Sequence, residues 1–203
     1  ISKSIKDLTQ NTSAHKIFKA INSHTPESEI RYVGGCIRKI INNEKVDDID
    51  LATNLEPQKI CEILKKNNID YYETGIEHGT VTALIESYKF EITSLREDIS
   101  TDGRHAKVQF SKNWKDDASR RDFTINSIYS DNEGNLFDPF NGKKDLENGL
   151  INFIGDTEAR VKEDYLRILR YLRFFTNYSK QPHNLEVIRK LKINIGGVLK
   201  LSK

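Results

Sequence analysis

The stretch VDDIDLATN, Val46 to Asn54, sets three aspartates into four positions and then runs into apolar residues. Acidic side chains are depleted in strands, whereas Ile49 and Leu51 favour one. Alternation reconciles the two. Successive strand residues point to opposite faces, so Ile49 and Leu51 share a face that can enter a core, and Asp48 and Asp50 share the other. Two positions along a strand separate the backbones of that pair by ~7 Å. Their oxygens can converge on magnesium, which takes a few carboxylates, water and substrate phosphate oxygens. Two metals ~3.5–4 Å apart are the usual arrangement for polymerase-type phosphoryl transfer. Alone, a D-x-D pair more often marks a solvated edge strand or a turn. Asp47 falls on the opposite face and reads as a residue at the start of the strand.

About a dozen residues upstream stands YVGGCIRK, Tyr32 to Lys39. A strand, then Gly34-Gly35, then a helix start is a geometry for holding phosphate, because glycines let the backbone approach and the first helical N–H groups are free. Arg38, one turn into that helix, adds a cation. No Gly-Lys-Ser/Thr follows, so this is not a P-loop. The order of the glycine turn and then D-x-D, on adjacent strands, strengthens both. A two-metal site commonly takes a third carboxylate from a neighbouring strand; Glu91 in KFEITSLR is the best candidate and Glu86 is less well placed.

Two later stretches carry dense polar chemistry. In SRRDFTINS, Arg120, Arg121, Asp122 and Asn126 surround Phe123 and Ile125. If helical, Asp122 and Asn126 share a face. The arginines suit phosphates, and Asp with Asn suits a ribose hydroxyl; a surface salt-bridge cluster is the plainer alternative. In EDYLRILRYLRF, Glu163, Arg167 and Arg170 recur at i, i+4, i+7, and Asp164 stands three before Arg167. Periodicity alone favours ordinary helical ion pairs, each contributing a few tenths of a kcal/mol. The functional alternative uses Asp164 as acceptor and Arg167 as donor toward a nucleobase edge.

The 203 residues allow one large or two small domains. A hydrophobic share of 36% against 31% charged suits a soluble protein with modest cores. The net charge of +2 neither favours nor disfavours nucleic acid. Cys36 and Cys61 form no C-x-x-C, which argues against a metal knuckle and points to a reducing compartment. No run approaches the ~18 apolar residues of a membrane helix, and ISKSIKDLTQ has no signal-peptide core.

Periodicity predicts a helix in TSAHKIFKAINSH capped by Thr12 or Ser13, strands in EIRYVGG and DDIDLAT, and short helices in CIRKIINN and EPQKICEILKKNN. TVTALIES and YKFEITSLR read as a hairpin, and INSIYSDNEGNLFDPF as a strand pair around NEGN. DTEARVKEDYLRILRYLRFFTNY reads as one long helix capped by Asp156 or Thr157, with an apolar stripe of Val161, Tyr165, Ile168, Leu169 and Leu172. NLEVIRKLKINI reads as another helix. No methionine occurs, even at position 1, and the helical region stops at LSK without a domain end. Both imply that the natural start and the later part of the helical region lie outside these 203 residues.

Taken in order, VGGCIRK, VDDIDLAT, HGTVTALI, FEITSLR, DGRHAKVQF, RRDFTINSIY, FDPFNGKKDL, FIGD and EDYLRILRYLRF resemble the class II nucleotidyltransferases over about residues 30 to 176. This is the family of bacterial-type tRNA CCA-adding enzymes and poly(A) polymerases. The resemblance implies an α+β head over residues 1–140, a mixed or antiparallel sheet flanked by helices, then a helical neck over 141–203 that lacks the body and tail domains. It implies two Mg2+ ions on Asp48 and Asp50. Gly34, Gly35 and Arg38 would hold the triphosphate, and Arg121, Asp122 and Asn126 would select ribose. Glu163, Asp164 and Arg167, with Arg170, would recognise the base. Arg104 in STDGRHAKVQF matches a loop linked to the switch from C to A addition.

The implied reaction is template-independent transfer of CMP and AMP from CTP and ATP to the tRNA 3′ end, with pyrophosphate release. YETGIEHGTVTALI resembles the CCA-adding branch more than the poly(A) polymerases, although separate CC-adding and A-adding enzymes share these motifs. The reading from another class is a nucleotide- or RNA-binding fragment without turnover. The implied compartment is the cytoplasm of a bacterial-type cell or an organelle. One departure stands out: the family's GG-x-x-R-D has Lys39 in place of its aspartate.

Overall fold

Ile49 and Leu51 do enter a core, at the centre of a mixed sheet. The structure is a computed structural model and describes residues 1–101 and 106–201. Seven strands, β1 (Ile30–Val33), β2 (Ile49–Thr53), β3 (Asp70–Gly75), β4 (Thr80–Ile85), β5 (Tyr88–Ser94), β8 (Tyr129–Ser130) and β9 (Leu136–Phe137), pair in the order β3-β4-β5-β2-β1-β8-β9. A separate antiparallel ribbon joins β6 (Arg96–Thr101) to β7 (Ala106–Phe110). Within the main sheet only β2 and β5 run parallel, so the sheet is mixed, as the α+β reading expects.

The pleat sorts the side chains. Ile30, Tyr32, Leu51, Val81, Ala83, Phe90 and Ile92 are buried together under the helices α1 (Ser2–Asn11), α2 (His15–Asn22) and α4 (Pro57–Lys66). A smaller cluster of Val33, Ala52, Leu95, Ala118 and Tyr129 is joined by α5 (Trp114–Ser119). Asp50 and Glu91 are register neighbours on β2 and β5, out of phase with the buried residues on either side of them. The alternation that buries Ile49 and Leu51 thus presents Asp50 to the other side.

The helices α6 (Gly142–Asn148), α7 (Thr157–Glu163), α8 (Leu166–Tyr178) and α9 (Leu185–Asn194) follow, and a 3-10 helix continues α9 over Ile195–Lys200. Their core joins Leu146, Phe153, Val161, Ile168, Tyr171, Phe174 and Leu191 to Phe123 and Ile125. Hydrophobic packing therefore runs across residue 140, and the RRDFTIN segment is shared by the two regions. Among the described residues no helix is long and apolar enough to cross a membrane.

Several local expectations need correction. Thr12 and Ser13 do not cap α2. The Thr12 hydroxyl donates back to the Leu8 carbonyl (2.7 Å) at the end of α1, Ser13 has φ +58°, and Ala14 precedes α2 without a side-chain cap. The helix expected from Asp156 to Tyr178 is two helices. Asp164 takes an extended conformation (φ −152°, ψ 108°), and its carboxylate accepts the Leu166 N–H (2.9 Å), offering the backbone an alternative to a continuous helix. The apolar stripe shifts with the break. Ile168, Tyr171 and Phe174 are buried, whereas Leu169 and Leu172 are each 44% exposed. Asp156 does cap α7, accepting from the Ala159 N–H (2.9 Å). Strands β3, β6 and β7 and helices α1, α5 and α6 escaped the periodicity reading. Arg104 lies outside the described residues.

Candidate active site

The glycine pair builds the floor of a cleft. Gly34 ends β1 at φ +67°, ψ −120°, a conformation that L side chains rarely adopt. Its N–H bonds the Ile128 carbonyl (3.3 Å), and the chain then enters α3 (Gly35–Ile41). A Cβ on Gly35 would stand 3.8 Å from Asp50 Oδ2 and 3.9 Å from Arg38 Nη2. The absent side chain at Gly35 thus leaves a gap between a carboxylate and a guanidinium.

From Arg38 a hydrogen-bonded chain crosses to α8. Arg38 Nη1 donates to Asn126 Oδ1. Asn126 Nδ2 donates to Asp122 Oδ1 (2.9 Å), and Arg170 Nε donates to Asp122 Oδ2 (2.6 Å). Asp122 and Asn126 therefore meet, as their spacing suggests, although the segment is a short 3-10 turn at Thr124–Asn126 rather than an α-helix. Burial alone would raise the Asp122 pKa, but the Arg170 cation and the hydrogen bonds lower it, so the carboxylate stays charged.

Arg121 is held from behind. Its Nε and Nη2 donate to Asp117 Oδ2 (3.3 and 3.2 Å), and its Nε also donates to the Tyr129 hydroxyl (3.0 Å). Tyr129 in turn donates to Asp117 Oδ2 (2.7 Å), and Arg120 Nε donates to Asp117 Oδ1 (3.0 Å). Burial works to raise the Asp117 pKa, yet Arg121, Arg120 and the tyrosine hydroxyl hold it at about 2.

The opposite wall comes from the start of α8. Asp164, Arg167, Arg170, Arg173 and Phe174 face Gly34, Gly35, Arg38, Asp50, Arg120, Arg121, Asp122 and Asn126 across a cavity of about 420 Å3. Arg167 Nη1 donates to Glu163 Oε2 (2.7 Å) and the Arg160 carbonyl (2.8 Å), and its Nη2 donates to the Arg120 carbonyl (3.2 Å). Glu163 does not line the cleft; it pairs with Arg160 (2.5 Å) and Arg167 behind the wall. Asp48 and Glu91 are also outside the lining and exposed, Asp48 just before β2 begins and Glu91 beside Asp50. Glu86 sits at the β4–β5 turn with Ser13 (3.2 Å) and Lys16 (4.0 Å). Lys39, where the family has aspartate, pairs with Asp47 (3.1 Å).

Sequence reasoning passed over Asp117, Tyr129, Arg173 and Phe174. Asp117 carried a signal, its i+3 and i+4 spacing to Arg120 and Arg121. Tyr129 and Phe174 carried none beyond hydrophobicity.

The carboxylates nearest the cleft suit a hard cation. Burial raises the Asp50 pKa and the Glu91 charge adds to it; Arg121 opposes, Asp48 raises it further, and Arg38 opposes again. Crowded carboxylates of this kind favour a cation between them. The donors are oxygens alone, which match a hard divalent cation rather than a zinc-type thiolate or imidazole set. Among the described residues no group of three His, Cys, Asp or Glu side chains could hold a metal ion by itself. An ion on Asp50 and its neighbours would therefore complete its shell with water and substrate oxygens, as magnesium commonly does.

Residues 30–152 match the family described as Poly A polymerase head domain. The chain belongs to this family. Among curated members of similar sequence, the mitochondrial CCA tRNA nucleotidyltransferase 1 of Homo sapiens is 43% identical over 177 residues, covering 86% of this chain and 41% of that protein. The CCA-adding enzyme of Lactobacillus johnsonii is 38% identical over 181 residues, covering 87% of this chain and 44% of that protein. The chain thus spans less than half the length of these relatives. The crystal structure of the Bacillus stearothermophilus CCA-adding enzyme in complex with CTP superposes with a TM-score of 0.80 at 28% identity, over 93% of this chain and 44% of that one. The Poly A polymerase head domain match takes in the glycine turn, the D-x-D strand and RRDFTIN, and ends before α7 and α8.

Proposed function

We propose that this chain carries the nucleotidyl-transfer centre of a tRNA CCA-adding enzyme, with residues 1–140 as catalytic head and 141–203 as helical neck. The observation that supports it best is the single cleft that places the Gly35 gap between Asp50 and Arg38 opposite Asp164, Arg167 and Arg170. A phosphate-binding side and a base-reading side then face each other at nucleotide scale. In this reading the tRNA 3′-hydroxyl attacks the α-phosphorus of CTP or ATP, the bond to the β-phosphate's bridging oxygen breaks, and pyrophosphate leaves. Gly34, Gly35 and Arg38 hold the triphosphate, while Arg121, Asp122 and Asn126 hold the ribose. Two magnesium ions on Asp48 and Asp50, with Glu91 as third carboxylate, would lower the pKa of the attacking hydroxyl and neutralise the departing pyrophosphate.

Base reading follows from hydrogen-bond accounting. Asp164 Oδ1 is taken by the Leu166 N–H, leaving Oδ2 as acceptor. Arg167 has five N–H donors, and three bonds occupy it on Glu163 and two backbone carbonyls. Its remaining donors and the Asp164 acceptor present the alternation of a Watson–Crick edge, and Glu163 fixes the arginine. The donor substrates are CTP and ATP, the acceptor is the tRNA 3′ end, and the compartment is a bacterial-type cytoplasm or an organelle.

The deciding measurement incubates the chain with magnesium, labelled CTP or ATP, and tRNA ending at the discriminator base, at -C or at -CC. Successive addition of C, C and A is expected. Addition of only C or only A would assign a CC- or A-adding enzyme. No incorporation, with nucleotide still bound, would favour the second reading, a nucleotide-binding part that grips tRNA poorly, which the span of less than half the relatives' length recommends.

Gly35→Ala separates stability from function. Gly35 opens α3 without positive φ, so alanine is tolerated there without backbone strain. Its methyl would occupy the gap between Asp50 and Arg38. A raised or unchanged melting temperature with at least about tenfold weaker CTP binding is expected, a loss of about 1.4 kcal/mol; unchanged CTP affinity by calorimetry would move the triphosphate elsewhere.

A further inference from the structure

Phe174 is only 3% exposed and packs against Phe123, with ring centroids 5.5 Å apart at 73°. The same ring meets three guanidinium groups. Arg38 lies 4.8 Å from its centroid, Arg173 4.9 Å and Arg170 5.4 Å. Three like charges around one ring repel one another, and their compensation is uneven. Arg170 is neutralised by Asp122 (2.6 Å). Among the described residues Arg38 hydrogen-bonds only the neutral Asn126 amide, makes no ion pair although the Asp50 carboxylate is near enough to feel its charge, and stacks also on Tyr178 (5.1 Å), whose hydroxyl donates to Glu44 (3.3 Å). Arg173 is exposed and has no acidic partner among the described residues. Arg38 is 9% exposed and lines the cleft, and its Nε is buried without an acceptor among the described residues.

We infer that Phe174 is a positioning residue that gathers Arg38 of the head and Arg173 of the neck into one polyphosphate-binding pair. The negative face of the ring offsets the cost of bringing cations together, and the offset is largest where water is excluded. An anion with several charges completes the compensation. Because Phe174 belongs to the same helix as Arg167 and Arg170, the helix proposed to read the base also sets the position of the phosphate-binding arginine. This inference rests on the phosphate half of that reading, the cleft as a polyphosphate site, and deepens it.

Inorganic tripolyphosphate with magnesium, titrated calorimetrically, tests the pair without any base. Phe174→Leu keeps apolar volume but loses the ring face, and should weaken tripolyphosphate binding about tenfold. Phe174→Tyr, which restores the face, should bind within about twofold of the unsubstituted chain. Phe153→Leu, a change in the same core away from the arginines, controls for lost packing: it lowers the melting temperature and leaves the affinity unchanged. In an Arg38→Ala background the Phe174→Leu effect should shrink, because both act through one guanidinium. Equal losses for the Phe174 and Phe153 leucine variants, additivity with Arg38→Ala, or no tripolyphosphate binding by the unsubstituted chain would each overturn the inference. Tripolyphosphate binding without CTP or ATP binding would instead refute the proposed function and leave this inference standing.

Discussion

Asp50→Ala is expected to reduce nucleotide incorporation by on the order of a thousandfold or more, with the fold intact. A metal ion acting on a phosphoryl oxygen contributes several kcal/mol to the transition state, and each 1.36 kcal/mol is tenfold in rate. Asp50 is the proposed metal ligand that lines the cleft. The fold should survive because the carboxylate is held there against its own preference. Burial raises its pKa first, with Glu91 and Asp48 adding to the effect against Arg121 and Arg38. An acid whose pKa is raised on folding contributes stability below its unfolded pKa and loses it as pH rises through the folded value. Without added metal the variant should therefore match the parent in acid and melt higher at neutral pH. Extension of tRNA by the purified variant at near-parent rates, with magnesium present, would remove Asp50 from the chemistry.

Asp117→Ala should cost about 3–5 kcal/mol of folding stability, the usual loss when one partner of a buried ion pair is removed. Asp117 is 1% exposed and serves Arg120, Arg121 and the Tyr129 hydroxyl at once. Its removal leaves the Arg121 guanidinium and the tyrosine hydroxyl facing each other without an anion, under the floor of the cleft. The effect has a defined pH window. The Asp117 pKa is lowered from 3.8 to about 2, so its contribution is complete above the ordinary value and fades as pH falls through about 2. Urea denaturation of parent and variant should show a wide gap in midpoint at pH 7 that narrows toward pH 2. A loss below about 1 kcal/mol at neutral pH, the range of a surface pair, would mean that the arginines are anchored elsewhere.

The sequence by itself carried whatever depends on neighbours in the chain. Alternation in VDDIDLATN separates Ile49 and Leu51 from Asp50 wherever that strand lies, and the Gly34-Gly35 pair admits a backbone turn closed to other residues. Asp122 and Asn126 are near enough in sequence to meet in either kind of helix. Only tertiary structure decided what depends on packing between distant segments. The break at Asp164 uses a local cap on the Leu166 N–H, but it is the packing of Ile168, Tyr171 and Phe174 into one core with Phe123 that leaves Leu169 and Leu172 outside the stripe that periodicity assigned to the core. Glu163, in phase with Arg167, lies behind the arginine because Arg160 and the Arg120 carbonyl complete that corner. Phe174 meets Arg38 across the head and the neck, and Tyr129 is packed onto the Asp117–Arg121 pair within the head. Local geometry is set by sterics and hydrogen bonds within a few residues, so a pattern can display it. A buried charge or an aromatic ring acquires its role from the groups that folding packs against it, and those groups lie far away in the chain.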